Sequence, residues 1–264
     1  MIEWIVFALI GAVTGIFSGL LGLGGGLIVV PSLMAFFTWQ GLPPTHLMHI
    51  AIGTSLMTIT VTSLSSSYAH YKYQHINWQL LQLLVPGLLI GGMLGAYVAT
   101  LFSRSLLQFC FAFYVFFVAI RMWLPILPPA SETFLNKNKL SLFGILAGCI
   151  SALVGIGGGS LIVPYLMMAK QSMQRAIGTS AACGFPISVA AVTGFFIFSQ
   201  DHSSTTSMWQ TGVIHWQAFF GIISTSILFS LIGVRLAKRL PVNILKQIFS
   251  FILIVIGLYL LSLR

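Results

Sequence analysis

Long apolar stretches with almost no charge inside them dominate the chain. They run over roughly 4–37, 47–69, 78–101, 105–127, 140–169, 176–199, 214–237 and 242–263. About 20 apolar residues in a helix cross the hydrocarbon core of a bilayer. In that medium a spanning segment of this length must satisfy its own backbone hydrogen bonds, which makes each stretch a helix. The charge inventory agrees. Twelve Lys or Arg and three Asp or Glu give 6% charged residues in 264, against about 25% in a soluble domain. That is too few to form a solvated surface, so an all-α polytopic membrane protein is expected, with the lipid bilayer as its solvent. The net charge of +9 does not point to nucleic acid, because the basic residues sit between apolar stretches and form no patch. They read as topology determinants.

Cys110, Cys149 and Cys183 lie within apolar stretches. An odd, scattered set is no disulfide framework, so they are expected to be free thiols. The N-terminal Met1-Ile2-Glu3-Trp4 lacks the basic region of a cleaved signal, and the first apolar segment is expected to persist.

The first and fifth stretches match each other. Gly15 to Met34 reads GIFSGLLGLGGGLIVVPSLM, and Gly148 to Met167 reads GCISALVGIGGGSLIVPYLM. Further along, Ala51-Ile52-Gly53-Thr54-Ser55 recurs as Ala176-Ile177-Gly178-Thr179-Ser180, and Ile76, Trp78 and Gln79 recur as Ile214, Trp216 and Gln217. Three matches in the same order mark an internal duplication. Residues 1–127 form the first repeat, 128–139 a linker and 140–264 the second repeat. Transporters are often built this way, with the site at the repeat interface.

Positive charge distinguishes parallel from inverted halves, because Lys and Arg favour the cytoplasm. If every stretch crosses once, Lys72, Arg121, Lys137, Lys139 and Arg264 face the remaining seven cations, which is no bias. If the two glycine-rich segments dip in and return, Arg104 and Arg264 stand alone on one side and the other ten cations share the opposite side. The expectation is therefore two inverted repeats of about four segments each. Each repeat opens with a glycine-rich broken or re-entrant helix.

The glycine clusters supply the candidate site. Gly22, Gly24, Gly25 and Gly26, with Gly155, Gly157, Gly158 and Gly159, fall at membrane depth. Adjacent glycines each destabilise a helix by about 1 kcal/mol relative to alanine. Pro31 and Pro164 each remove a further donor and are expected as helix-break residues. Irregular backbone at this depth persists only where protein buries it or a cavity adjoins it. A helix restarting there would present free N–H groups and its positive dipole end. The only acids, Glu3, Glu132 and Asp201, fall at segment ends or in loops, so no interior carboxylate can hold a cation. The donors that remain are amides and the hydroxyls of Ser18, Ser151, Thr54, Ser55, Thr179, Ser180 and Ser160. This set suits a small oxyanion. Gly11, Gly15, Gly144 and Gly148, at four-residue spacing, read instead as helix-packing positions.

The duplicated glycine–proline motif, each copy followed by AIGTS, resembles the TauE/SafE family of sulfite and organosulfonate exporters over nearly the whole chain. The resemblance implies a multi-pass permease of a bacterial-type plasma membrane for small sulfur-containing anions, and rocking of one half against the other is expected to give alternating access. It implies a substrate site at Gly22, Gly24, Gly25, Gly26, Thr54 and Ser55 in the first half. In the second half it implies Gly155, Gly157, Gly158, Gly159, Thr179 and Ser180. The halves differ where Ser160 replaces Leu27 and Arg175 replaces Ile50. Ser160 is added to the site, and Arg175 reads either as a cytoplasmic topology charge or as a residue at the pathway mouth.

No metal or cofactor is expected, because His46-x-x-His49 has no thiolate or carboxylate nearby. The other histidines, His70, His75, His202 and His215, also lie at segment ends. An intramembrane serine protease would need a GxSG pattern, which Ile16 breaks, and an aspartyl or metalloprotease would need interior acids. The chain is therefore not expected to be an enzyme. A passive anion channel is the alternative to a carrier. Substrate, direction, coupling ion and oligomeric state are not fixed by the sequence.

Overall fold

The computed structural model describes residues 2–22, 24–41, 47–123, 137–199, 210–236 and 242–262. Most of the proposed linker 128–139 lies outside them. Ten helices carry the described chain: α1 (Ile2–Leu21), α2 (Gly26–Trp39), α3 (Leu47–Lys72), α4 (Trp78–Leu101), α5 (Arg104–Trp123), α6 (Lys137–Val154), α7 (Gly159–Met168), α8 (Met173–Phe198), α9 (Trp216–Leu236) and α10 (Val242–Ser262). A two-residue hairpin, β1 (Gln210–Thr211) and β2 (Ile214–His215), precedes α9. Among the described residues, α1, α3, α4, α5, α8 and α9 are long and apolar enough to cross a membrane. The apolar stretches thus become helices, except that the first and fifth each divide in two at their glycines.

Small residues set how closely the helices pack. Gly11, Gly15 and Gly19 lay α1 against α9 so tightly that an added Cβ would strike the carbonyl oxygens of Ile222, Ser226 and Ser230. Gly87, Gly91 and Gly95 of α4 meet the carbonyls of Ser141, Ile145 and Cys149 of α6 in the same way, with Gly144 and Gly148 on the opposing face. Four-residue spacing puts these glycines on one helix face, so two backbones can touch along several turns.

The same contacts fix chain direction. Residue numbers rise together along α1 and α9 and along α4 and α6, so each pair is parallel. Helices α3 and α9 are parallel too: Thr54 contacts His215, and Ser65 contacts Ser230. Helices α4 and α8 are also parallel, with Gly92 near Ala190 and Gly194 near Ala96. By contrast α3 and α8 are antiparallel, with Thr60 Oγ1 donating to Ser188 Oγ at 3.1 Å and Gly184 lying over Ser63. Helices α5 and α10 are antiparallel as well: Gln108 donates to the Leu260 carbonyl, and Ser250 donates to that of Ala119 at 3.0 Å.

Helix α2 folds back on α1. Gly25 returns to Thr14, the Phe7 and Phe36 rings meet at 4.7 Å, and Gln40 Nε2 donates to Glu3 Oε1 at 2.6 Å. Helix α7 folds back on α6, with Phe143 and Tyr165 stacked at 3.7 Å. Each pair is a helical hairpin whose tip points into the molecule.

Candidate functional site

The hairpin tips are glycine because of backbone geometry. Gly22, Gly24 and Gly25 have φ of 66°, 73° and 79°, and Gly155 and Gly158 have 79° and 75°. A side chain in that left-handed region costs about 1–2 kcal/mol per residue. Gly25 and Gly158 are the N-caps of α2 and α7, and neither helix start has a side-chain cap. The first N–H groups of both helices have no intrahelical acceptor, as at any helix start. The breaks lie at the glycines alone. Pro31 and Pro164, expected as helix-break residues, lie inside α2 and α7, because a proline one turn in forfeits a single hydrogen bond that the rest of the hairpin can absorb.

The two tips meet. A Cβ on Gly24 would lie 3.0 Å from the Gly157 Cα, and one on Gly26 would strike the Gly155 carbonyl. Ser55 Oγ donates to that same carbonyl at 2.8 Å. Gly22, Gly24, Gly25 and Gly26 are therefore brought together with Gly155, Gly157, Gly158 and Gly159, and with Ser55.

The hydroxyls divide into three groups. Ser18, Ser151 and Ser180 are buried, and their Oγ atoms have no hydrogen-bond partner. Ser151 Oγ lies 3.3 Å from where a Gly158 Cβ would stand, at the start of α7. Thr54 and Thr179 are instead engaged across the repeats: Thr54 Oγ1 accepts the His215 N–H and Thr179 Oγ1 accepts the Asn77 N–H, both at 2.9 Å. The glycine before each threonine makes room, since Gly53 lies under Val213 and Gly178 under His75. AIGT in each half thus receives the loop that leads into the Trp-Gln of the other half. Ser160 forms the third group, paired at 2.5 Å with the Tyr114 hydroxyl of α5. Tyr114 was not singled out by the sequence, where it is one aromatic residue in an apolar stretch.

A cavity of about 70 Å³ lies beside the second tip, lined by Leu21, Arg121, Gly159, Ser160, Met167, Met173 and Ile177 among others. The sequence marked Arg121 only as a topology charge. Its reach into a cavity depends on which α5 face meets α7, and that is a tertiary fact. Arg175 is exposed near the start of α8, close in sequence to the cavity residues Met173 and Ile177.

The helix directions put Lys72, Arg121, Lys139, Lys170, Arg175 and Arg235 at one end of the bundle, and Arg121 of this group lines the cavity. Glu3 and Arg104 lie at the other end. Lys238, Arg239, Arg264, Glu132, Asp201, His46 and His202 lie outside the described residues, as does the side chain of Lys246. Glu3 accepts from Gln40 and Gln217, each at 2.6 Å. His70 and His75 approach at 3.4 Å between their Nδ1 atoms. His215 Nδ1 accepts the Ala218 N–H at the start of α9. Burial of the ring lowers its pKa below the ordinary 6.5, against the pull of nearby Glu3.

These features define a multi-pass helical membrane protein of the transporter class. The family model described as "Sulfite exporter TauE/SafE" matches residues 7–260, and the chain belongs to that family. It is 33% identical over 252 residues to a "Probable membrane transporter protein" of Haemophilus influenzae, covering 95% of each chain. It is 27% identical to "Probable membrane transporter protein YunE" of Bacillus subtilis, covering 97% of this chain and 96% of that one. To "Probable membrane transporter protein MJ0441" of Methanocaldococcus jannaschii it is 26% identical, covering 96% and 93%. No solved structure matches the chain.

Proposed function

We propose that the protein carries a small sulfur-containing oxyanion, such as sulfite or an organosulfonate, across the plasma membrane by alternating access. The two halves act as an inverted repeat whose re-entrant tips form the substrate site. The observation that carries this reading is the meeting of the two glycine tips beside three buried hydroxyls, Ser18, Ser151 and Ser180, that have no partner. A buried polar group without a partner costs about 1–3 kcal/mol, a cost that a bound oxyanion would offset. Glu3, the only acid among the described residues, is at the far end of α1, so the electrostatics favour an anion. The inverted arrangement is supported by the antiparallel packing of α3 on α8 and of α5 on α10, each helix lying against its own repeat equivalent. Amide and hydroxyl donors bind an oxyanion without fully neutralising it. Three or four such bonds at roughly 1.5–3 kcal/mol each leave an affinity loose enough for release.

Proteoliposomes loaded with sulfite, sulfate, thiosulfate or sulfoacetate test this. Saturable flux accelerated by substrate on the opposite side is expected for a carrier, and non-saturating conductance would make it a channel. Gly25→Leu and Gly158→Leu should each abolish flux while the protein still inserts. Retained flux in both would remove the tips from the mechanism.

A further inference from the structure

We propose that the cavity between α5, α7 and α8 is a second, outer anion site in series with the tips, and that Arg121 decides which anions occupy it. This rests on the transport reading above. Three observations carry it. First, the cavity has polar groups at both ends and apolar walls between them. Ser160 and the start of α7 lie at the inner end, and Arg121 lies two α5 turns from the Tyr114–Ser160 contact, about 10 Å along the same face. Phe117, Val118, Met122 and Val163 line the space between. Second, Arg121 has no carboxylate partner among the described residues, because the only acid there, Glu3, is at the opposite end of the bundle and held by two glutamines. Third, the route continues inward. Ser180, one turn beyond the cavity residue Ile177 on α8, and Ser18, one turn behind the cavity residue Leu21 on α1, are buried hydroxyls without partners. Between cavity and tip, the Ile177 carbonyl lies 2.8 Å from where a Gly22 Cβ would stand.

A guanidinium and a helix start separated by apolar wall match a solute with an anionic head and a short hydrocarbon body better than a bare inorganic oxyanion. A sulfite ion would leave the walls unfilled, whereas each methylene of an alkanesulfonate adds apolar contact. At the first tip Leu27 stands in place of Ser160. The outer site lies between the halves, with Leu21 and Arg121 from the first and Gly159, Ser160 and Ile177 from the second.

The test uses the full chain with Cys110, Cys149 and Cys183 replaced and a single cysteine at Met167. Labelling by a charged methanethiosulfonate should be slowed by butanesulfonate more than by ethanesulfonate, and least by sulfite. In proteoliposomes, Arg121→Gln should raise the half-saturation concentration for butanesulfonate about tenfold or more, with a smaller effect for sulfite. Arg121→Lys should recover most of the loss. Equal protection by sulfite and butanesulfonate would overturn the apolar selection, and an unchanged half-saturation in Arg121→Gln would overturn the role of Arg121. If wild-type protein transports and Gly158→Leu does not, either result defeats the outer site while leaving the tip site standing. If wild-type protein moves no anion, the transport reading fails, and the labelling still reports whether the cavity binds one.

Discussion

At the scale of single residues, the hydroxyls separate function from stability. Ser18 and Ser151 are equivalent positions in the two repeats, and both Oγ atoms are buried without a partner. Deleting an unpartnered buried hydroxyl removes a cost, so Ser18→Ala and Ser151→Ala should leave thermal stability in detergent unchanged or raised while lowering transport. A large loss of melting temperature would show that these hydroxyls support the fold instead. Thr54 gives the opposite expectation. Its hydroxyl accepts a buried N–H from the other half, so Thr54→Val, equal in shape, should cost about 1–3 kcal/mol and lower the melting temperature. His215 sets a pH dependence. Because folding lowers its pKa below 6.5, the folded state binds fewer protons than the unfolded one. Stability contributed by the neutral ring is fully present above pH 6.5 and is lost as pH falls below it. Protonation also removes the Nδ1 acceptor that caps α9. His215→Asn, an alternative cap, should flatten the melting-temperature profile below pH 6.5, and an unchanged profile would exclude His215 as its source.

At the scale of elements, the fold depends on backbones that touch. The α4 and α6 backbones approach at Gly87, Gly91 and Gly95, and in lipid such packing replaces the hydrophobic drive available in water. Gly91→Ala would push against the Ile145 carbonyl, a backbone atom that cannot rotate away. It should destabilise the protein by about 1–3 kcal/mol, read as a loss of melting temperature or of folded yield. A neutral result would mean that α6 can slide, and the close packing would then not fix the position of the second tip. Gly41 is a contrast within the same chain: nothing lies within 4 Å of its added Cβ.

At the scale of the whole molecule, the charge distribution orients the bundle. Among the described residues, Lys72, Arg121, Lys139, Lys170, Arg175 and Arg235 share one end, and Arg104 lies at the other. Cations favour the cytoplasm, so under the proposed inverted topology this end is the cytoplasmic one. In a cysteine-less background, Gly41→Cys should react with a membrane-impermeant reagent added outside intact cells, and Lys170→Cys should react only after permeabilisation. The reverse pattern, or both positions on one side, would refute the inverted topology.

Much of this architecture was legible because membrane helices announce themselves by length and apolarity, and because the duplication displays its motifs twice. The glycine clusters were identifiable as breaks since no continuous helix needs three adjacent glycines. What each repeated motif does was not legible. AIGTS looked like a single polar unit, yet its threonine holds the opposite half in both copies, while Ser55 donates to a tip carbonyl and Ser180 has no partner. Spacing along one helix cannot say which neighbour lies on which face. Arg121 shows the same limit. Sequence assigns a cation to one side of a membrane by statistics over loops, whereas its reach into a cavity is decided by how α5 rotates against α7. The sequence by itself determined the solvent, the helices, the duplication and the positions of the breaks, because these follow from local apolarity and backbone freedom. The tertiary structure alone decided that the two tips touch, that Ser18, Ser151 and Ser180 lack partners and that Arg121 lines a cavity between the halves, because those depend on packing between segments far apart in the chain.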